Sequence, residues 1–173
     1  MSVLKKILIS IGIIVLLIVG LTVYNRYQAS VGLKEAYRKE DRVKILSYLM
    51  TDRYEKMIEK VGFTIFLERD LKWDDVIEVI EVGEKISIKI SHPNEGSKNF
   101  NVFFTVTVNG KETEISYVFD SKLNLTYKNY EQRNSQNIKE NVTISEEEES
   151  RLLGIVQSEL RDFFDKMEKS LYG

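Results

Sequence analysis

The chain contains no cysteine, one histidine and one proline among its 173 residues. The lack of thiols excludes disulfides, thiolate metal sites and a cysteine nucleophile. The single histidine, His92, excludes a zinc site built from several histidines and leaves one imidazole for acid–base chemistry. The 25 basic and 27 acidic residues give a net charge of -2. This balance excludes a strongly basic nucleic-acid-binding protein that works by bulk electrostatics.

The strongest pattern is an apolar segment, residues 7–24, which holds 18 residues without a charge. A helix of that length spans about 27 Å, close to the roughly 30 Å of a bilayer's hydrocarbon core. We therefore predict that residues 7–24 cross a lipid bilayer. A buried core helix is the alternative, but no face of the segment is polar and its apolar run is too long for such a helix.

Two features favour an uncleaved signal anchor over a cleaved signal peptide. A cleaved peptide has an apolar region of about 7–15 residues followed by a small-x-small site. This apolar run is longer, and Gln28 precedes Ala29 and Ser30 where a small residue would be needed. The absence of cysteine also excludes a lipid-modified cysteine.

Basic residues flank the segment on both sides, so the positive-inside rule does not decide its orientation cleanly. Before it lie Lys5 and Lys6, and after it lie Arg26, Lys34, Arg38 and Lys39. A short basic tip usually stays in the cytoplasm, and long domains translocate largely regardless of charge. We predict the tip inside and the following domain outside. The alternative keeps the domain in the cytoplasm, on the inner leaflet.

The composition divides the chain into two regions and suggests its origin. Residues 1–28 are predicted to form a cytoplasmic tip and the transmembrane signal anchor, and residues 29–173 a single soluble domain. No repeat or Ser/Gly tract interrupts the second region, which is long enough to bury a core. Lysine outnumbers arginine 17 to 8, a usage typical of AT-rich genomes that suggests a low-GC Gram-positive bacterium.

Helical spacing of apolar residues predicts three helical stretches within residues 31–61. Asp41 is the predicted N-cap of the second stretch, and Thr51 or Asp52 that of the third. Gly62 is the predicted stop of the third.

Alternating apolar and polar residues predict an antiparallel meander of four or more strands between residues 76 and 130. Asn109 and Gly110 form a strong signal for a type I′ hairpin within it. Residues 63–67 fit either a short additional strand or a helix end.

Residues 131–144 are polar and are predicted to form a long mobile loop. Ser145 and Glu148 then fit a capping box at the start of a long amphipathic helix that runs to about Leu171. Its apolar stripe is Leu152, Leu153, Val156, Leu160, Phe163, Phe164, Met167 and Leu171. The order of a transmembrane helix, further helices, antiparallel strands and a final amphipathic helix predicts the α+β class, with helices on one face of the sheet.

Two stretches of the domain resemble known families. Residues 36–54 (AYRKEDRVKILSYLMTDRY) resemble the helical opening of small nuclear-transport-factor-2-like (NTF2-like) domains. Residues 106–127 (VTVNGKETEISYVFDSKLNLTY) resemble a hairpin of cystatin-fold domains, including PepSY modules. A single-pass anchor before such a domain is also the layout of VirB8-type components of conjugative secretion machines. The resemblance implies a membrane-anchored bacterial domain and carries over no functional residue.

Few residues have the types and spacing that catalysis or metal binding requires. His92 lies in a His-Pro turn, where Glu95 is the nearest carboxylate that could orient it as a general base. An exposed loop histidine is the simpler interpretation. The sequence carries no phosphate loop and no GxSxG or GxGxxG motif.

Two acidic clusters remain. Carboxylates that could bind Ca²⁺ or Mg²⁺ surround Trp73, but their spacing fits no EF-hand loop, and a chain turn is the simpler interpretation. They are Asp70, Asp74 and Asp75. Residues 146–149, all glutamate, suit the positive end of a helix dipole. We therefore assign no catalytic, cofactor-binding or metal-binding residue.

The predicted function follows from the anchor and from one surface hint. Phe103 and Phe104 are adjacent in a strand and must lie on opposite faces of the sheet. One face can pack on the helices, while the other needs cover from a partner or from residues 131–144. We predict a non-enzymatic, single-pass membrane-anchored protein whose extracytoplasmic domain is a protein-interaction or accessory module of the bacterial cell envelope. Its predicted partners are the lipid bilayer and another envelope protein, without nucleic acid.

The alternative function is an envelope domain that binds a small ligand or a peptide, including an immunity-type domain, on the concave face of the sheet. An enzyme would have to rely on carboxylates alone, since one imidazole and no thiol are present.

Overall fold

Helices precede and follow one antiparallel sheet in the part of the chain that the structure describes. The computed structural model describes residues 3–51, 53–70, 75–83, 86–94, 96–134 and 138–173, with side chains from residue 10 onward except at 67–70 and 75–78. The helices are α1 (Val3–Arg38), α2 (Arg42–Leu49), α3 (Glu55–Lys60) and α4 (Glu146–Tyr172).

Seven strands of the described residues form one meander, in which each strand pairs antiparallel with the next. They are β1 (Thr64–Asp70), β2 (Asp75–Val82), β3 (Ile88–Ser91), β4 (Asn99–Val108), β5 (Lys111–Asp120), β6 (Leu125–Arg133) and β7 (Lys139–Asn141). The predicted α+β class and the antiparallel sheet of four or more strands are confirmed. Residues 64–67 belong to a strand and not to a helix end.

Local hydrogen bonds set the start of α2 and the end of α3. The Asp41 carboxylate accepts a hydrogen bond of 3.1 Å from the backbone N–H of Lys44, which confirms the predicted N-cap. Gly62 adopts a positive φ of 93° just after α3, as a glycine stop requires.

The predicted Thr51 N-cap of α3 is wrong. The Thr51 hydroxyl donates instead to the carbonyl of Tyr48 at 2.9 Å, because it lies within reach of the unpaired carbonyls at the end of α2. Tyr54 occupies the N-cap position of α3 and makes no side-chain capping bond. Asp52, the other predicted cap, lies outside the described residues.

Turn chemistry explains how β5 is connected to its neighbours. Asn109 and Gly110 adopt positive φ values of 52° and 75°, the geometry that a two-residue type I′ hairpin requires. After β5, the Asp120 carboxylate accepts backbone hydrogen bonds from Lys122 at 2.8 Å and from Asn124 at 2.9 Å. The side-chain amide of Asn124 also donates to this carboxylate and is the main reason that the pKa of Asp120 is lowered.

The prediction of a long mobile loop over residues 131–144 is wrong for its described part, and residues 135–137 lie outside the described residues. β6 continues to Arg133, and Lys139–Asn141 form β7 at the edge of the sheet. The N–H of Val142 donates to the carbonyl of Tyr130 at 2.9 Å, which holds the segment beside β6. An edge strand is held by backbone hydrogen bonds, so its side chains can all be polar and the alternating pattern disappears.

Ser145 is the N-cap of α4 as predicted, but the Glu148 half of the predicted capping box is wrong, because this carboxylate bonds to Arg151 and not to the Ser145 N–H. The Ser145 hydroxyl accepts a hydrogen bond of 3.3 Å from the backbone N–H of Glu148. The Glu148 carboxylate accepts two hydrogen bonds from Arg151, at 2.8 and 2.6 Å, and these lower the pKa of Glu148. The acidic first turn therefore serves the helix itself.

Helices and sheet share one hydrophobic core on one face of the sheet. Phe163 of α4 lies 5.0 Å from Phe63 and 5.1 Å from Phe164, measured between ring centroids. The strand residues that face this core include Phe100, Val102, Phe104, Ile115, Tyr117 and Phe119. The predicted apolar stripe of α4 is buried at Leu152, Val156, Leu160, Phe163, Phe164 and Met167.

α1 runs without interruption from the apolar segment into this core. The side chains of residues 10–28 are exposed, whereas Leu33, Ala36 and Tyr37 are buried. Gly32 lies so close to α2 that a Cβ atom there would come within 2.7 Å of Cζ of Tyr48. The domain boundary predicted between residues 28 and 29 thus falls inside a continuous helix.

Candidate interaction surface

The first functional feature is the exposed part of α1. Within the described residues, the stretch Ser10–Arg38 is long and apolar enough to cross a membrane, and the rest of the chain buries none of its apolar window. Leu16 is 72% exposed and Leu21 is 62% exposed. These side chains require an apolar surrounding that the described part of the chain does not supply, and this is consistent with membrane anchoring.

The second feature is the sheet face that points away from the helices. The strand register aligns six residues across β1 to β6 on this face, and none of them is charged. Phe66 pairs with Val79, Val79 with Ser91, Asn101 with Val118, and Val118 with Tyr127. A hydrogen bond of 3.4 Å from the Ser91 hydroxyl to the Asn101 carbonyl joins the two halves. We call these six residues the uncharged row.

Exposure changes along the uncharged row. Val79 is fully buried and Ser91 is 6% exposed, whereas Tyr127 at the β6 end is 57% exposed. Phe66 and Val118 are half-buried. The β5–β6 end of the row is therefore the part that presents an aromatic and an aliphatic side chain to the surroundings.

Phe103 lies beside the uncharged row, paired with Lys89 on β3 and Ser116 on β5. It is half-buried, whereas Phe104 is buried in the core with its ring 5.5 Å from that of Tyr117. The prediction that these two phenylalanines lie on opposite faces is confirmed. β7 lies three strands from β4, which carries Phe103, a distance of about 14 Å at the usual strand spacing. This edge strand, part of residues 131–144, therefore does not cover Phe103.

The other part of this face is charged and largely neutralises itself. Lys139 contacts Glu114 and lies 3.6 Å from Glu131, and Arg133 lies 3.7 Å from Glu114. Exposed ion pairs of this kind are worth about 0–1 kcal/mol each. This part is a solvated surface, so the uncharged row with Phe103 is the better candidate for a contact with a partner.

The described side chains of the helix-covered face pack into the core. An open groove of about 560 Å³ lies elsewhere, between the β4–β5 hairpin and the segment after β7. It is lined by Val108, Asn109, Lys111, Gln132, Asn141, Val142, Thr143 and Ile144. Its described lining mixes amide, hydroxyl and aliphatic groups with the ammonium of Lys111 and contains no carboxylate or imidazole.

Two buried tyrosines form a polar contact that the sequence did not reveal. The hydroxyl oxygens of Tyr117 and Tyr130 lie 3.5 Å apart beneath the first turns of α4. Burial is the main cause that raises the pKa of both phenols. Above them Lys128 pairs with Glu149. Neutral phenols that satisfy each other in this way stabilise the core.

The predicted acid–base candidate is not assembled in the described residues. The Nδ1 atom of half-buried His92 lies 2.7 Å from the carbonyl oxygen of Pro93. Glu95, the predicted orienting carboxylate, lies outside the described residues. The contact of His92 with its neighbour Pro93 therefore belongs to the local turn.

The predicted acidic cluster lies at the β1–β2 connection. Asp70 pairs with Asp75 in the strand register, while Trp73 and Asp74 lie outside the described residues. In the ranges whose side chains are described, no group of three or more His, Cys, Asp or Glu residues could hold a metal ion.

The chain matches no protein-family model, no curated protein and no solved structure. Its function is therefore inferred from its sequence, fold and surface.

Proposed function

We propose that the protein is a non-enzymatic, single-pass membrane protein that holds an α+β interaction module directly at the bilayer surface. The observation that carries this proposal is the continuity of α1, whose exposed apolar part leads into the buried residues Leu33, Ala36 and Tyr37. One helix thus serves both as anchor and as part of the domain core.

A continuous helix has a different consequence from a flexible tether. A flexible linker raises the effective concentration of a domain near the membrane but leaves its orientation free. Here the helix enters the core about two and a half turns after the apolar segment, so the domain has a defined tilt and distance from the bilayer. Because its orientation is fixed, a module of this kind always presents the same surface to a partner in the same membrane.

We place the domain on the outer side of a bacterial cytoplasmic membrane, as an accessory module of the cell envelope. Support comes from the basic tip at Lys5 and Lys6, from the long domain that follows and from the resemblance to membrane-anchored envelope domains. Envelope assembly, conjugative secretion or immunity against a secreted toxin are settings that fit such a module.

Cysteine labelling tests the topology in a background without other thiols. Ser97 is half-buried and hydrogen-bonded to Asn99, so the exposed neighbour Lys98 is the better labelling position. We expect Lys98→Cys to react with a membrane-impermeant maleimide in intact cells. The matched variant Ser2→Cys, on the other flank of the anchor, should react only after lysis. The reverse pattern would place the domain in the cytoplasm and overturn the envelope proposal.

Photocrosslinking tests the interaction surface. A photoreactive phenylalanine at Tyr127, in the exposed end of the uncharged row, should give one discrete adduct in membranes. The same probe at Arg161, an exposed position on α4, serves as the matched control and should give none. Equal adducts at both positions would contradict docking through this face.

Ligand or peptide binding is the second candidate, and the groove beside β7 is the observation that favours it. A peptide in this groove should raise the melting temperature of the chain, and Thr143→Arg should abolish that shift by filling the groove. If Thr143→Arg loses the rise in melting temperature but keeps the crosslinked adduct at position 127, peptide binding and partner docking use different surfaces.

A further inference from the structure

The domain touches α1 directly at the point where α1 leaves the apolar segment. The Nη1 atom of Arg53, just before α3, donates a hydrogen bond of 2.8 Å to the backbone carbonyl of Arg26. The same guanidinium lies 5.2 Å from the centroid of the Tyr54 ring, within the range of a cation–π contact. Both arginine side chains are exposed.

The position of Arg26 fixes the depth of this contact in a bilayer. Residues 7–24 match the hydrocarbon core, and the polar headgroup layer adds roughly 5–8 Å on each side. At 1.5 Å per residue, that layer corresponds to about the next four or five residues of α1. The hydrogen bond to Arg26 therefore holds the guanidinium of Arg53 at headgroup level. Tyr24 and Tyr27 are 58% and 64% exposed at the same level, as interfacial tyrosines are.

The charges of the described residues closest to this contact are basic or balanced. From residue 7 to residue 34 the charged residues of α1 are Arg26 and Lys34, both basic. The acidic residues of α3, Glu55 and Glu59, are matched in number by Lys56 and Lys60. An arginine whose guanidinium is held in place can bind a phosphate through two parallel N–H groups.

We propose that Arg26 and Arg53 together bind the phosphate of an anionic phospholipid headgroup and so hold the domain against the membrane. This inference rests on the proposed membrane anchoring and adds a lipid partner and a fixed contact surface to it. The domain then has two attachments to the bilayer, the helix and the arginine pair, and these define its tilt.

Native mass spectrometry of the full chain in neutral detergent tests the proposal by lipid titration. The probes are dioleoyl phosphatidylglycerol and dioleoyl phosphatidylcholine, which share acyl chains and differ in headgroup charge. We expect the anionic lipid to bind at least about fivefold more tightly, the factor expected for one basic residue near a lipid surface. Arg53→Gln keeps a donor for the Arg26 carbonyl but should reduce this preference by about fivefold, and Arg161→Gln should leave it unchanged.

Equal binding of the two lipids by the native chain would overturn the proposal, as would an undiminished preference in Arg53→Gln. If Arg53→Gln alters the near-ultraviolet circular dichroism, a loss of fold could explain its weaker lipid preference. Arg26→Gln then tests the same site independently. Carbonate extraction of membranes distinguishes a failure of the membrane anchoring from a failure of the arginine site. Release of the chain would refute the anchoring itself, whereas retention without a lipid preference would overturn the arginine site alone.

Discussion

Replacement of Leu33 by alanine tests whether the end of α1 belongs to the domain core. Leu33 is 1% exposed and lies in the same hydrophobic cluster as the buried residues of α2 and α4. Val31, two residues earlier on the same helix, is 44% exposed. Val31→Ala is therefore a matched control that shortens an aliphatic side chain on the outer side of α1.

The size of the effect follows from burial. Leu→Ala removes three carbon atoms, worth about 0.8 kcal/mol each when fully buried, or about 2.4 kcal/mol in total. The cavity left in a close-packed core raises the loss to about 3 kcal/mol or more. For a domain of this size that corresponds to a melting temperature lower by roughly 6–12 °C. Val31→Ala should change stability by less than about 0.5 kcal/mol.

The assay is urea unfolding of the full chain in mild detergent, followed by near-ultraviolet circular dichroism of its nine tyrosines. This signal reports the packing of the domain and is insensitive to the helicity of the anchor. Equal urea midpoints for Leu33→Ala and Val31→Ala would refute the reasoning. The end of α1 would then lie outside the core, and the observation that carries the proposed function would fail.

Three further changes probe local structure by the same assay. Asp41→Ala removes the N-cap of α2 and should cost about 1 kcal/mol, with a lower urea midpoint. Gly110→Ala forces a Cβ into a positive-φ turn and should cost about 1–2 kcal/mol, whereas an unchanged midpoint would contradict the type I′ geometry. The lowered pKa of Asp120 means that its stabilisation is present above the unfolded pKa of about 3.9 and is lost as the pH falls through the folded-state value. Asp120→Asn should therefore lose less stability than the native chain between about pH 6 and pH 3, and an equal loss would contradict this role.

Elements whose signals lie within a few residues of each other could be predicted. The Asn109–Gly110 turn, the Asp41 and Ser145 caps and the apolar stripe of α4 depend on backbone geometry and on helical spacing, which adjacent residues determine. β7 could not be predicted, because Lys139, Glu140 and Asn141 carry no apolar alternation and are held by backbone hydrogen bonds to β6. The role of Thr51 could not be predicted, because a threonine hydroxyl can bond to the helix on either side of it, and here it donates to a carbonyl at the end of α2.

The candidate sites depend on distances that no local pattern contains. Phe103 was recognised from strand periodicity, but its neighbours in the uncharged row come from β1 to β6 and meet through the strand register. Arg53 reaches the carbonyl of Arg26 across 27 positions of sequence. Such pairs are created by chain packing, so a sequence pattern alone does not indicate them.

The amino-acid sequence by itself determined the apolar segment, the α+β class and the absence of thiol chemistry, because hydrophobic periodicity and composition act locally and additively. Only the tertiary structure decided that the apolar helix continues into the core, which face of the sheet the described helices cover, and that Arg53 contacts α1 at Arg26. These three features depend on contacts between elements that are far apart in the sequence. The same hydrophobic periodicity would allow several arrangements, and close packing of side chains selects one of them.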